Sequence, residues 1–171
     1  MSKMLYIKKI PSPLGVITAA SDGENLTGLW FEGQKHFGST LKGAFDEKDL
    51  PVFRQTGEWL NIYFSSGLPG FTPPIKLEGT DFQKRVWEIV KTIPYGHTVT
   101  YGEIAKALER QNGAKRVCAR AVGGAVGRNP VSIIIPCHRV IGTGGNLTGY
   151  AGSTDKKAFL LRLENADFKT E

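Results

Sequence analysis

A chain of 171 residues is long enough to bury a sizeable core, as one large domain or two small ones. Hydrophobic residues make up 40% of it, yet no run nears the ~18 apolar residues of a membrane span, no basic-apolar-small leader opens it, and its two cysteines and three histidines stand at no metal-ligand spacing. A soluble, cytoplasmic protein with free thiols and no membrane or metal partner is expected, and its net charge of +6 is lopsided: residues 1–79 hold eight basic and eight acidic side chains, residues 80–171 hold 14 and 8.

Residues 4–31 read as an antiparallel meander. Strand-like runs at 4–10 and 15–21 flank Ser12-Pro13-Leu14-Gly15, and Ser21-Asp22-Gly23-Glu24-Asn25 turns the chain into a third run at 26–31. Residues 33–48 are polar and predicted to be irregular. Pro51, just after Asp49, opens an amphipathic helix with Phe53, Leu60, Tyr63 and Phe64 that ends near Gly67. Pro69, Pro73 and Pro74 mark a linker, which places an N-terminal domain at 1–78 and a C-terminal one at 79–171.

The second half is mainly helical. Thr80 and Gln83 form a capping-box pair ahead of a stripe of Phe82, Val86, Ile89, Val90 and Ile93, stopped by Pro94-Tyr95-Gly96. Thr100 and Glu103 repeat the box before Tyr101, Ile104, Ala105 and Leu108. Beyond Gln111-Asn112-Gly113, residues 114–127 show the clearest periodicity. Ala114, Val117, Cys118, Ala121, Val122 and Ala125 share one stripe, which predicts a helix with Cys118 in the core. Its other face carries Lys115, Arg116, Ala119, Arg120, Gly123, Gly124 and Gly127, basic at the start and nearly bare at the end. Two helices across a short turn, the second small and basic, read as a helix-turn-helix whose lean face can enter a groove. Small residues that merely let helices pack closely give the same pattern. Within residues 104–139, Lys106, Arg110, Lys115, Arg116, Arg120, Arg128 and Arg139 face only Glu109, a balance suited to a polyanion and above all to nucleic acid.

The apolar run Val131, Ile133, Ile134 and Ile135 predicts a buried strand, and Pro136 cannot extend a ladder, so Cys137 is expected at the strand's end beside His138. Free cysteine is ordinarily a small buried hydrophobe. As a nucleophile it needs a base or a positive field, because a thiol with pKa near ~8.5 is mostly protonated at neutral pH. His138 is the nearest base, and since adjacent side chains diverge, it is expected to act through water. On a helix begun near Ser153 or Thr154, Glu164 shares a face with Leu160 and Leu161. A carboxylate facing a core needs a partner, and His138 would supply one; a terminal-turn glutamate reaching solvent is the other reading.

The string Pro136-Cys137-His138-Arg139-Val140 resembles the active-site motif of the O6-alkylguanine-DNA alkyltransferases, which move an alkyl group from a damaged DNA base onto their own cysteine. The resemblance is dense over residues 79–164. Before that it is loose, resting on Ser12-Pro13-Leu14-Gly15, Leu29-Trp30-Phe31 and strand order. It implies an α/β N-terminal domain with a small antiparallel, ribonuclease H-like sheet, and a mainly α C-terminal domain containing the helix-turn-helix. The implied activity is single-turnover DNA repair without a cofactor: alkyl groups on the guanine oxygen, and on thymine, pass to Cys137. His138 acts through water and is held by Glu164. The target base is flipped out of the duplex; Arg120 enters the stack, and Tyr101, which by pattern alone also fits a core, donates a proton to the departing guanine. Lys115, Arg116, Ala119, Gly123 and Arg128 belong to the DNA side, and Asn129 is a hinge bracing the cysteine. Val140, Tyr150 and Ala151, with the glycine-rich stretch 142–152, are implied at the base pocket. Ser132 stands where some members carry proline, and Ala151 where some carry a hydroxyl residue, which bears on pocket size. Members with a structural zinc use N-terminal cysteines that this chain lacks, so no metal is expected. The implied partner is double-stranded DNA containing alkylated guanine, bound by a monomer.

Three rivals share parts of this pattern. A non-catalytic lesion binder would lack Cys137. A Cys-His hydrolase uses a base distant in sequence and has no need of a basic helix. A DNA-binding regulator would leave alkylated oligonucleotide unchanged.

Overall fold

The computed structural model describes residues 3–113, 115–148 and 150–168. They fall into two compact units, Met1–Glu78 with Pro130–Ser132, and Gly79–Asn129 with Ile133–Glu171.

In the first unit, β1 (Leu5–Ile10), β2 (Ile17–Ser21) and β3 (Leu26–Phe31) form the meander that the turn residues demand. A fourth strand, β4 (Phe45–Glu47), adds to the far edge, for an order β3-β2-β1-β4. It pairs parallel to β1, so the sheet is mixed and not antiparallel, and residues 33–48 are not wholly irregular. The physical reason is the long connection after β3: it is long enough to return the chain before pairing, which a two-residue hairpin cannot do. Strands β2 and β3 are buried along their whole length. Helix α1 (Pro51–Phe64) packs on β2 and buries Val52, Phe53, Trp59, Leu60 and Tyr63. Its N-cap is Leu50, while Asp49 pairs with the exposed Arg54 at 3.3 Å. Gly28 is required by its neighbour: a Cβ there would lie 2.0 Å from the ring of the fully buried Trp30.

Residues 130–132 join this unit through β3. The Leu29 N–H donates to Pro130 O at 2.8 Å and Leu29 O accepts from Ser132 N–H at 2.9 Å, a bridge that takes in Val131. The Ser132 hydroxyl donates to Gln34 Oε1 at 3.3 Å.

In the second unit, α2 (Asp81–Lys91) and α3 (Tyr101–Gln111) both begin with complete capping boxes, at Thr80/Gln83 and Thr100/Glu103. Both pack on α4 (Ala119–Gly127). Val86, Trp87 and Val90, Ile104, Ala105 and Leu108, and Val122, Ala125 and Val126 form this core, with the Trp87 indole N–H donating to Ala125 O at 2.9 Å. Strands β5 (Val99–Thr100) and β6 (Val140–Ile141) pair parallel, and α5 (Thr154–Leu163) packs on the turn at Cys137–Arg139.

Two sequence expectations fail here. Helix α4 starts at Ala119, not 114, and Ala114 itself lies outside the described residues. The cause is a tertiary claim on the backbone: Glu109 Oε1 accepts from the Val117 N–H at 2.9 Å, so that segment is held outside the helix, and Cys118 becomes its N-cap. Cys118 is therefore exposed and not a core residue; its sulfur accepts from Ala121 N–H at 3.4 Å. Residues 133–135 form a turn and not a strand. Of this run only Val131 bridges to β3, and two residues later Ile133 takes a positive φ that no strand allows. Among the described residues no helix is long and apolar enough to cross a membrane.

Candidate active site

The bend before Cys137 is tightly specified. Ile133 has φ 70°, a left-handed conformation that a β-branched residue adopts only when packing forces it, and its side chain is buried. Pro136, at φ −82° and ψ 62°, is the centre of an inverse γ-turn: the Cys137 N–H donates to Ile135 O at 2.8 Å. The same carbonyl accepts from Asn129 Nδ2 at 2.9 Å, so Asn129, two residues beyond α4, braces the cysteine turn. Cys137–Arg139 then make one 3₁₀ turn leading into β6. Cys137 is only 2% exposed. Burial pushes its thiol up to about 12, against the opposing effects of an Asn129 hydrogen bond and the Lys157 charge.

Beside it, His138 Nε2 meets Glu164 Oε2 at 2.5 Å, both side chains fully buried. Glu164 is the C-cap residue of α5, and its side chain is buried on the side that the helix stripe foretold, not solvent-facing. Its Oε1 also accepts from Arg139 Nε at 2.8 Å and from the Gly96 N–H at 3.0 Å, and Oε2 accepts from Arg139 Nη2 at 3.2 Å. Gly96 sits at φ +79°, and a Cβ there would come 3.1 Å from Glu164 O, so the turn after α2 needs glycine to reach this carboxylate. The carboxylate orients the imidazole with Nε2–H donating, which leaves Nδ1 as the basic nitrogen. Burial lowers the His138 pKa while Glu164 raises it; burial is the larger effect, and the ring rests neutral.

The other side of the cluster centres on Thr148 O. It accepts from the Tyr101 hydroxyl and, at 3.0 Å, from Lys157 Nζ, which also donates to Val140 O. Lys157 is fully buried, beneath the Tyr101 and Tyr150 rings at 5.9 and 6.0 Å. Desolvation drops its pKa to about 8 and lifts that of Tyr101 to about 12. The arrangement joins a buried thiol, a neutral imidazole backed by a carboxylate, a buried cation and a phenol. It suits nucleophilic attack by sulfur on an uncharged carbon, with proton transfer at both ends.

Residues 81–166 match the family model described as 6-O-methylguanine DNA methyltransferase, DNA binding domain. Over 163 residues the chain is 45% identical to the methylated-DNA–protein-cysteine methyltransferase of Mycobacterium tuberculosis, covering 95% of this chain and 94% of that one. The chain belongs to this family. The Haemophilus influenzae protein of the same name is 43% identical over 96% of this chain and 88% of its own. A crystal structure of Mycobacterium tuberculosis OGT in complex with DNA superposes with a TM-score of 0.79 at 44% identity, covering 95% of this chain and 92% of that one.

The buried cluster draws Cys137, His138, Glu164, Tyr101, Asn129 and Val140 together, and the half-buried Tyr150 lies 6.5 Å from the His138 ring, edge to face. Ala151 lies in the loop after Tyr150, half-buried, and Gly149 lies outside the described residues. Ser132, expected at the pocket, bonds Gln34 in the first unit instead, because the bridge to β3 turns it that way. Arg120, Ala119 and Gly124 are exposed on α4, and Arg128 follows its end; Lys115 and Arg116 are exposed before the helix and not on its face. Arg139 was counted with the polyanion-facing charges and is not one of them, since its guanidinium is spent on Glu164 and on Ile93 O at 2.7 Å. Lys157 was missed. Its signal was available, because it precedes Leu160, Leu161 and Glu164 by three, four and seven positions on the very stripe that pointed to Glu164.

Proposed function

We propose that this methyltransferase repairs DNA by moving a methyl or larger alkyl group from the O6 oxygen of guanine, and from O4 of thymine, onto Cys137 in a single turnover. The observation that carries the assignment of residues is the buried thiol adjoining the His138–Glu164 pair, 2.5 Å apart. His138 takes the thiol proton through a water molecule. The thiolate attacks the alkyl carbon, the S–C bond forms as the C–O bond breaks, and the electron pair passes into the guanine ring. Tyr101 supplies the proton that leaves neutral guanine, and its phenolate recovers one from solvent. The thioether has no leaving group that water can easily displace, so the protein is consumed.

A thiol 2% exposed cannot meet a base inside a stacked duplex, so the lesion is flipped into the pocket bounded by Val140, Tyr150 and Ala151. α3 and α4 serve as the two helices of the helix-turn-helix, with Arg120 filling the gap and Lys115, Arg116 and Arg128 meeting phosphates of double-stranded DNA. The glycines of α4 support this reading over simple close packing. A Cβ at Gly124 meets nothing within 4 Å, and one at Gly123 only ordinary contact with Tyr101 at 3.8 Å. The first unit's sheet with α1 across it is read as a small ribonuclease H-like domain. The protein acts as a cytoplasmic monomer without a metal or cofactor.

Mass spectrometry after exposure to duplex containing O6-methylguanine tests the proposal. One added methyl per chain, mapped to Cys137, is expected. An adduct on Cys118, or continued turnover with excess substrate, overturns it.

A further inference from the structure

The functional reading above has no role for Arg139, a charge that the fold buries in part. Its side chain is 11% exposed, and it is fixed at both ends of the guanidinium. Nε and Nη2 grip the two oxygens of Glu164 at 2.8 and 3.2 Å, while Nη1 donates to Ile93 O at 2.7 Å and the group stacks over the Tyr95 ring at 5.8 Å. A group so committed is not available to a phosphate.

We propose that Arg139 is a positioning residue for alkyl transfer, which holds the charge of Glu164 so that His138 stays a neutral base in the resting protein. The inference rests on the assignment of His138 as the base. An imidazole bonded to a buried carboxylate that has no other cation is drawn toward imidazolium, and an imidazolium has no lone pair for the thiol proton. Here the guanidinium already balances the carboxylate. The groups around His138 are Cys137 and Arg139 on its own turn, Glu164 and Lys157 from α5, and Tyr150 from the loop before α5; Tyr95, from the turn after α2, faces Glu164 and Arg139, and exposed His97 is bonded to Tyr95 O. With Arg139 and Lys157 both cationic and Glu164 alone anionic, a proton on His138 adds charge to a buried cluster that is already net positive. Burial is the main cause of its lowered pKa, and both cations act in the same direction. Lysine at position 139 would keep the charge but lose the fork that grips both oxygens.

The test is an NMR titration of the His138 imidazole in free protein, for wild type, Arg139→Met and Arg139→Lys, alongside the pH profile of methyl transfer. Wild-type His138 is expected to titrate below its ordinary 6.5. In Arg139→Met the midpoint should rise by about one unit, a tenfold gain in proton affinity, and the acidic limb of the transfer rate should move with it. Arg139→Lys should bring both back toward wild type. An unchanged His138 midpoint in a folded Met variant, or a rate lowered equally at every pH, overturns the proposal and assigns Arg139 a merely structural part. If the Met variant does not fold, wild type still decides: a His138 midpoint at or above 6.5 overturns it. Absence of methyl on wild-type Cys137 would instead refute the functional reading, whatever the titration shows.

Discussion

Replacing Glu164 by glutamine removes one charge at almost constant volume. The carboxylate accepts at least four N–H groups, two from Arg139 and one each from Gly96 and His138, at 2.5 to 3.2 Å. An amide has one acceptor oxygen, and in either orientation its NH₂ faces an N–H of the guanidinium, donor against donor. Arg139 loses its counter-charge where little water can replace it. Breaking a buried pair in this way typically costs about 3–5 kcal/mol. For a chain of this size that is a fall in melting temperature of roughly 6–20 °C. Urea unfolding of wild type and Glu164→Gln at neutral pH measures it, with the slope checked for constancy. Glu88→Gln is the control: its pair with Lys91, at 3.0 Å, is solvent-exposed and should contribute no more than about 0.5 kcal/mol. A Glu164→Gln loss as small as the control would refute the claim that this carboxylate organises the site.

Because His138 is buried with its pKa lowered from 6.5, the unfolded chain binds more protons below that pH, so stability should decline as pH falls from about 6.5; urea midpoints across pH 7 to 5 check it, and a flat profile counts against a buried neutral imidazole. Cys137, raised from 9.0 to about 12, has the opposite sign: the folded state keeps a proton that the unfolded state gives up, so Cys137→Ser should reduce the loss of stability above pH 9. Gly124→Ala should stabilise the free protein by about 0.5–1 kcal/mol, since its Cβ enters open space, yet weaken binding to duplex DNA; stabilisation with unchanged binding would remove α4's bare face from the interface. Cys118→Ser keeps an N-cap acceptor and should leave both stability and methyl uptake near wild type, as thermal melts and adduct mapping will show.

The features legible from the sequence were those in which both partners lie within one turn of helix or one tight turn of chain. The Thr80/Gln83 and Thr100/Glu103 boxes, the three-stranded meander and the inward face of Glu164 are of this kind, because 3.6- and 2-residue periods and capping distances are set by local backbone geometry. The Cys137–His138 pair was legible for a different reason: the two residues are adjacent in a motif that resembles a known one. Wherever a distant group competes for the backbone, the local pattern misled. A buried β-branched run reads alike in a strand or a turn, and it was β3, about a hundred positions earlier, that paired with Val131 and left Ile133 to take a positive φ. Glu109 removed Val117 from the helix its periodicity predicted, and so exposed Cys118. Arg139 counts as one more surface charge until Ile93 O and Glu164 are brought against it from elements 46 and 25 positions away. Burial and partnership are properties of the assembled core, and residue spacing carries no record of which distant group will arrive.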